Sequence, residues 1–167
     1  MPETLQTERL TLRPYEIGDA PAVSNQIGNY SVCQWLTRVP YPYGEADAFE
    51  FFGRTTGDSF VKAVVFRGDL IGCVSIMGSD LGYWFGETYW GRGFATEAAR
   101  ALLARFFDAG NGLVSSGYLK GNTASRNVLQ KLGFKHTEIV PTFTKSRNSD
   151  VPTHRMELTK TCWENRV

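Results

Sequence analysis

Residues Tyr89 to Arg100 read YWGRGFATEAAR: two glycines around an arginine, then a run with helical spacing. Glycine tolerates positive φ and lets a ligand come close to the backbone. A helix that starts there leaves its first N–H groups unpaired and carries partial positive charge at that end. Gly91-Arg92-Gly93 therefore fits either a bare tight turn or a cradle for a phosphate. Two nucleotide motifs fail on it. Gly86 and Gly91 have P-loop spacing, but Arg92 and Gly93 stand where that loop needs Lys and then Ser or Thr. The dinucleotide pattern GxGxxG finds Gly91 and Gly93 and then Thr96, with no repeated βαβ arrangement around it.

After the turn, Ala95, Ala98, Ala99, Leu102, Leu103, Phe106 and Phe107 share one face. Arg100 and Arg105 fall off that stripe, which predicts an amphipathic helix ending near Gly110. Before the turn, SFVKAVVF (59–66), the turn RGD and LIGCVSIM (70–77) predict a hairpin, and LGYWF (81–85) a third strand. Farther upstream, RLTLRPY (9–15) alternates like a half-buried strand. Asp19 and Pro21 open a short helix toward Gln26. Residues 29–44 read as loop, and EADAFEFFGR (45–54) as a second helix with Ala46, Phe49 and Phe52 near helical spacing. Downstream come a strand, LVSSGYL (113–119), and a helix, TASRNVLQKLG, closed by Gly133. Two antiparallel strands, FKHTEIV (134–140) and VPTHRMEL (151–158), complete the set. This order gives a mixed α/β fold in a single domain, 1–167.

The length suits one domain with a real core. A formal net charge of +1 gives no support for nucleic acid or membrane held by bulk charge. No apolar run approaches the roughly 18 residues of a membrane span, and no apolar core near Glu3, Glu8 and Arg9 suggests a signal peptide. Cys33, Cys73 and Cys162 lie far apart, without CxxC spacing, which points to reduced thiols and a cytoplasmic protein. His136 and His154 lack local ligand spacing, so no metal is expected, and both are read as partly buried strand residues.

About thirty residues beyond the glycine turn stands GNTASRNVLQKLGFKHTEI (121–139). With this segment the chain resembles the GNAT superfamily of acyl-CoA-dependent N-acetyltransferases, and more narrowly its RimJ/RimL-like branch of ribosomal-protein N-terminal acetyltransferases. TERLTLRPYEIGDA is similar to that branch's opening strand and helix, and YPYGEADAFEFF to its second helix. LGYWFGETYWGRGFATEA resembles its coenzyme-binding segment, and NTASRNVLQKLGF its second coenzyme helix. The resemblance implies a twisted, mostly antiparallel sheet of about seven strands with a splayed central pair, flanked by about four helices.

The same resemblance implies acetyl-CoA as cosubstrate and an amine as acceptor, in a monomer or homodimer. The superfamily's cradle falls on Trp90 to Ala95, with Trp90 in place of the usual Gln or Arg. Backbone amides of Gly91, Arg92, Gly93, Phe94, Ala95 and Thr96 would hold the pyrophosphate, with charge from Arg92. Trp84, Phe85 and Gly86 would pair with the pantetheine arm and offer an amide to the oxyanion, Asn122 would contact the same arm, and Asn127 and Lys131 the adenosine.

For the acid, many members place a tyrosine in the second coenzyme helix; here Leu129 fills that slot. Ser125 is the branch's usual candidate instead, and reads either as the acid or as a helix cap. Glu87, just past the strand, is the candidate base, with Asp80, just before it, as the second; Glu87 reads also as a solvated loop carboxylate. Glu97 is expected to support the helix start. Trp35 and Tyr41, with Tyr30 and Tyr43, either wall the acceptor cleft or pack their loop onto the core. A protein or peptide α-amine leads as acceptor, ahead of small amines such as aminoglycosides or polyamines. A non-catalytic acyl-CoA-binding module and an unrelated nucleotide-phosphate binder remain the competing readings.

Overall fold

The computed structural model describes residues 3–166. One eight-stranded sheet carries the strands β1 (Leu5–Gln6), β2 (Leu10–Arg13), β3 (Val61–Phe66), β4 (Asp69–Met77), β5 (Asp80–Phe85), β6 (Leu113–Leu119), β7 (Lys135–Thr144) and β8 (Ser149–Thr159). Their order is β1-β2-β3-β4-β5-β6-β8-β7. The α-helices are α1 (Ala20–Ile27), α2 (Tyr30–Cys33), α3 (Glu45–Thr55), α4 (Phe94–Asp108), α5 (Thr123–Leu132) and α6 (Lys160–Glu164). Short 3₁₀ turns lie at Ile17–Asp19 and Glu87–Tyr89. None of the described helices is long and apolar enough to cross a membrane.

Every neighbouring pair is antiparallel except β5 and β6, which α4 joins by a crossover and which therefore run parallel. That pair touches at one register position, Asp80 opposite Ser115. Ser115 N–H donates to the Ser79 carbonyl at 2.7 Å, and the Ser116 hydroxyl takes the Leu81 carbonyl at 2.9 Å. Beyond Leu81 the two strands diverge, which is the expected splay.

Strand alternation sorts the core into two layers. Leu81 and Phe85 face α4, whose Phe94, Ala98, Leu102, Leu103 and Phe106 fill one side of the sheet. Ala63 and Leu70 face α1 and α3 on the other side, against Val23, Ile27, Ala48 and Phe52, with Trp84 packed at that layer's margin. Leu102 and Leu103 are fully buried, and each such side chain contributes about 1.5–3 kcal/mol. This anchors α4, and with it the glycine turn at its start.

Several expectations are refined. An eighth strand arises because Leu5 and Gln6 pair with Leu12 and Thr11 at the sheet edge. Inside the presumed loop, Asn29 accepts from Ser31 N–H at 3.0 Å and caps the one-turn α2. In α3 the buried residues are Ala48 and Phe52, while Ala46 and Phe49 face outward. That face packs on α1 and the sheet, with Phe52 stacked on Tyr15 at 4.7 Å. α6 exists because Trp163 packs on Phe107, with ring centroids 5.8 Å apart. β7 runs past Pro141, which an edge strand tolerates.

Candidate active site

The splay opens into a cavity of about 830 Å³ that passes between β5 and β6 from the α4–α5 side to the α1–α3 side. Its walls follow from how β5 is built. The ladder with β4 runs without a shift from Gly72 opposite Phe85 to Met77 opposite Asp80, and Gly86 N–H donates to the Ile71 carbonyl at 2.9 Å. Backbone direction alternates along such a pair. Trp84 and Gly86 therefore turn their polar backbone groups to β4, and Tyr83 and Phe85 turn theirs to the gap. The expected pairing of a ligand arm with Trp84 and Gly86 is thus corrected, because β4 already occupies those groups. The Phe85 carbonyl is taken by the Trp90 indole N–H at 2.8 Å, which leaves the Phe85 amide and both polar groups of Tyr83 facing the opening.

At the end of β5 the chain enters the glycine turn. Gly91 and Gly93 hold φ of 73° and 80°, left-handed values that exclude a β-branched residue. No side chain caps α4, and the N–H groups from Gly91 through Thr96 have no hydrogen-bond partner among the described residues. Gly91, Gly93, Phe94, Ala95 and Thr96 line the cavity there. Phe94 contributes only backbone, since its ring lies in the core at 2% exposure.

The turn is braced from outside. The Arg9 guanidinium donates to the Arg92 carbonyl at 2.9 Å and to Glu97 at 2.7 Å. Glu97 also accepts from the Thr7 hydroxyl at 2.7 Å and from Arg9 N–H at 2.8 Å. Burial acts to raise the Glu97 pKa, but these donors outweigh it and hold the carboxyl below its usual range. Arg92 stacks outward on Phe94 and Phe66, 4.9 and 5.2 Å from their centroids, and does not line the cavity. Its expected charge at the cradle is corrected accordingly.

The opposite wall is α5. Asn122 is its cap: the side-chain oxygen accepts from Ser125 N–H at 3.2 Å. Ser125 is therefore not the cap, and its hydroxyl lies 2.7 Å from the Tyr83 hydroxyl. Burial pushes the Tyr83 phenol up to about 12, partly offset by the bond to Ser125. Asn127 and Lys131 line the cavity farther along the helix, whereas Leu129 is fully buried in the core. Tyr83 is the residue that the sequence reading missed. Its alternation with Leu81 and Phe85 marked the face it occupies, but nothing local marked its partner.

On the α1–α3 side the cavity is walled by Trp84, Trp35, Arg38, Asp80 and Arg155. Arg155 on β8 crosses over Gly117 of β6 and donates to Asp80 on β5 at 2.7 Å. A Cβ on Gly117 would lie 2.9 Å from the His154 carbonyl and 3.0 Å from the Arg155 guanidinium, so this crossing requires glycine. Trp35 is held by the Arg147 guanidinium, 4.9 Å from its ring centroid, and Arg147 donates to the Gln34 carbonyl at 2.8 Å. The remaining candidates stand elsewhere. Glu87 is exposed, bonded to Asn29 at 2.8 Å, and absent from the cavity wall. Tyr41 packs on Tyr30 at 5.0 Å, outside the cavity, and Tyr43 packs into the α1–α3 core. His136 is exposed rather than partly buried, 3.1 Å from His154, which stacks on Tyr118.

Comparison with known proteins bears on this arrangement. The pattern of the acetyltransferase (GNAT) domain matches residues 9–135. An uncharacterized N-acetyltransferase, p20, of Bacillus licheniformis is 25% identical over 176 residues, 95% of this chain and 97% of that protein. Among solved structures, Mycobacterium smegmatis RimJ in complex with CoA-disulfide is similar with a TM-score of 0.81 and 19% identity, over 96% of this chain and 88% of that one. The ribosomal-protein-S5-alanine acetyltransferase from Vibrio fischeri gives 0.78 and 17% identity, over 96% and 98%.

Proposed function

The chain belongs to the GNAT acetyltransferase domain family, and from that premise we propose that it transfers acetyl from acetyl-CoA to the α-amine of a peptide or protein N-terminus, by direct attack in a ternary complex. The observation that carries this reading is the run of unpaired N–H groups from Gly91 to Thr96 at the mouth of a cavity that crosses the sheet. Such a helix start suits a pyrophosphate. In this reading the pantetheine arm lies along the Tyr83–Phe85 edge of β5 beside Asn122, with Asn127 and Lys131 toward the adenosine. An amide of Tyr83 or Phe85 meets the developing oxyanion, the kind of fixed donor that dominates acyl-transfer catalysis. The Ser125 hydroxyl donates to the departing sulfur.

The acceptor enters from the side of Trp35, Trp84 and the Asp80–Arg155 pair. Glu87 stands off that path, and the carboxylate that does face it, Asp80, is tied to Arg155. A site with so little free base favours an amine already partly neutral at physiological pH, which an α-amine is and a lysine is not. The name of one protein of the same fold, ribosomal-protein-S5-alanine acetyltransferase, points to the same class of acceptor. The test is release of free thiol from acetyl-CoA with a panel of N-terminal peptides, an N-blocked lysine peptide, polyamines and aminoglycosides. Turnover on free N-termini is expected. A higher rate on a small amine would reassign the acceptor, and tight acetyl-CoA binding without turnover on any amine would mark a binding module.

A further inference from the structure

The tyrosine that the family places in the second coenzyme helix is absent, and its slot, Leu129, is sealed in the core. A phenol nevertheless reaches the same wall from the opposite element. Tyr83 projects from β5 with its ring against the α4 core, and its hydroxyl meets Ser125 of α5 at 2.7 Å, with the Ser125 carbonyl at 3.4 Å. Both side chains line the cavity where it passes through the splay. Resting on the acetyltransfer reading, we propose that Tyr83 is a positioning residue: its phenol donates to Ser125 Oγ and thereby turns the Ser125 hydroxyl proton into the cavity, toward the thioester sulfur.

The alternatives open to Ser125 give this contact its purpose. A serine in the first turn of a helix readily bonds back to a local carbonyl. The turn before α5 offers such carbonyls at Gly121 and Asn122, which already accept from Thr123 and Arg126. The Ser125 amide is fixed by Asn122, so only the hydroxyl rotor is undetermined. A donor on its oxygen leaves the proton free to point elsewhere. Burial keeps the phenol protonated, held up at about 12, so it remains a donor throughout the accessible pH range.

A thiol ionises near pH 8.5, and a phenol and a serine hydroxyl are both weaker acids, so neither Tyr83 nor Ser125 is left ionised. The 2.7 Å contact with the Ser125 hydroxyl is what makes Tyr83 a positioning residue. In the balanced step the acceptor nitrogen bonds to the acetyl carbon and the carbon–sulfur bond breaks. The nitrogen gives up one proton, through solvent, and the sulfur gains one. Tyr83 and Ser125 end with the protons they began with.

A double-mutant cycle tests the pair. Ser125→Ala and Tyr83→Phe should each lower kcat by about 10-fold or more with KM for acetyl-CoA nearly unchanged, and the double variant should match Ser125→Ala alone. Wild-type kcat in Tyr83→Phe would overturn the proposal. So would a rise in KM without a fall in kcat, or losses that multiply in the double variant, which would mean that Tyr83 acts on the sulfur directly. Denaturant unfolding of the same four proteins reads the contact without turnover: the destabilisation by Tyr83→Phe should shrink in the Ser125→Ala background. Equal destabilisation in both backgrounds would sink the pair. An inactive wild type would instead sink the acetyltransfer reading.

Discussion

The two halves of the cavity are built by different means. The α4 wall is made of backbone: a strand end, a left-handed glycine turn and an uncapped helix start, contiguous from Phe85 to Thr96. The α1–α3 side is made of side chains brought from far apart, with Trp35, Asp80, Trp84 and Arg155 meeting across three strands and a loop. A backbone site depends on dihedral angles that few residues tolerate. A side-chain site depends on which strands happen to be neighbours. The first half should therefore fail abruptly under single substitutions and the second by degrees.

The sharpest challenge to that contrast is Gly93→Val. A branched residue at φ 80° is strained, and its Cβ would stand 3.4 Å from the Arg9 guanidinium that braces the turn. Calorimetry should find no measurable coenzyme A binding to the folded variant. Retained affinity would remove the cradle and, with it, the backbone half of the comparison.

The acceptor half is probed next by matched peptides, one with a free N-terminus and one N-blocked with an internal lysine. At pH 7 about 10% of an amine of pKa 8 is neutral, against about 0.04% at pKa 10.4, a handicap of roughly 250-fold. Initial rates should favour the free N-terminus by that order. Faster acetylation of the blocked peptide would reveal a stronger base than the tethered Asp80.

Trp35→Ala should raise the acceptor KM by about tenfold, the worth of roughly 1.4 kcal/mol of apolar contact, while acetyl-CoA affinity stays put. A matching loss of acetyl-CoA affinity would show that the two halves are coupled through the Trp35 contact near Gly121.

The smallest effect is expected at the brace. Glu97 has its pKa lowered in the folded state, so its contribution is present above the unfolded carboxyl range and lost as pH falls through the depressed value. Glu97→Gln should cost about 1 kcal/mol, discounted for the partly exposed Arg9, and should flatten the loss of stability below about pH 4.5. Unfolding midpoints across pH 3–7 would check the sign; an unchanged acid limb would separate the brace from stability.

Legibility followed the same division. The helical stripe from Ala98 to Phe107, the Gly133 stop and the strand–turn–helix at Gly91 were readable because period, capping and left-handed φ are properties of neighbouring residues. The α3 stripe was misread because Ala46 and Phe49 fit a helical period as well as Ala48 and Phe52 do. Tyr15, α1 and the sheet, all from other parts of the chain, settled which face turns inward. α2 and α6 were missed because one-turn helices carry too few residues for a periodic signal.

By itself, then, the sequence determined the order of the longer helices and of the strands from Leu10 onward, and a phosphate-ready backbone between Gly91 and Thr96. Each of these rests on residues within a turn or two of one another. Tertiary structure alone decided which polar groups face the opening. It turned the amide of Gly86 to Ile71, moved Glu87 away to Asn29, laid Arg155 over Gly117 to reach Asp80, and brought Tyr83 to Ser125. The last two contacts join residues 75 and 42 positions apart. Their partners are chosen by strand order and pleat direction, which no short stretch of the chain encodes.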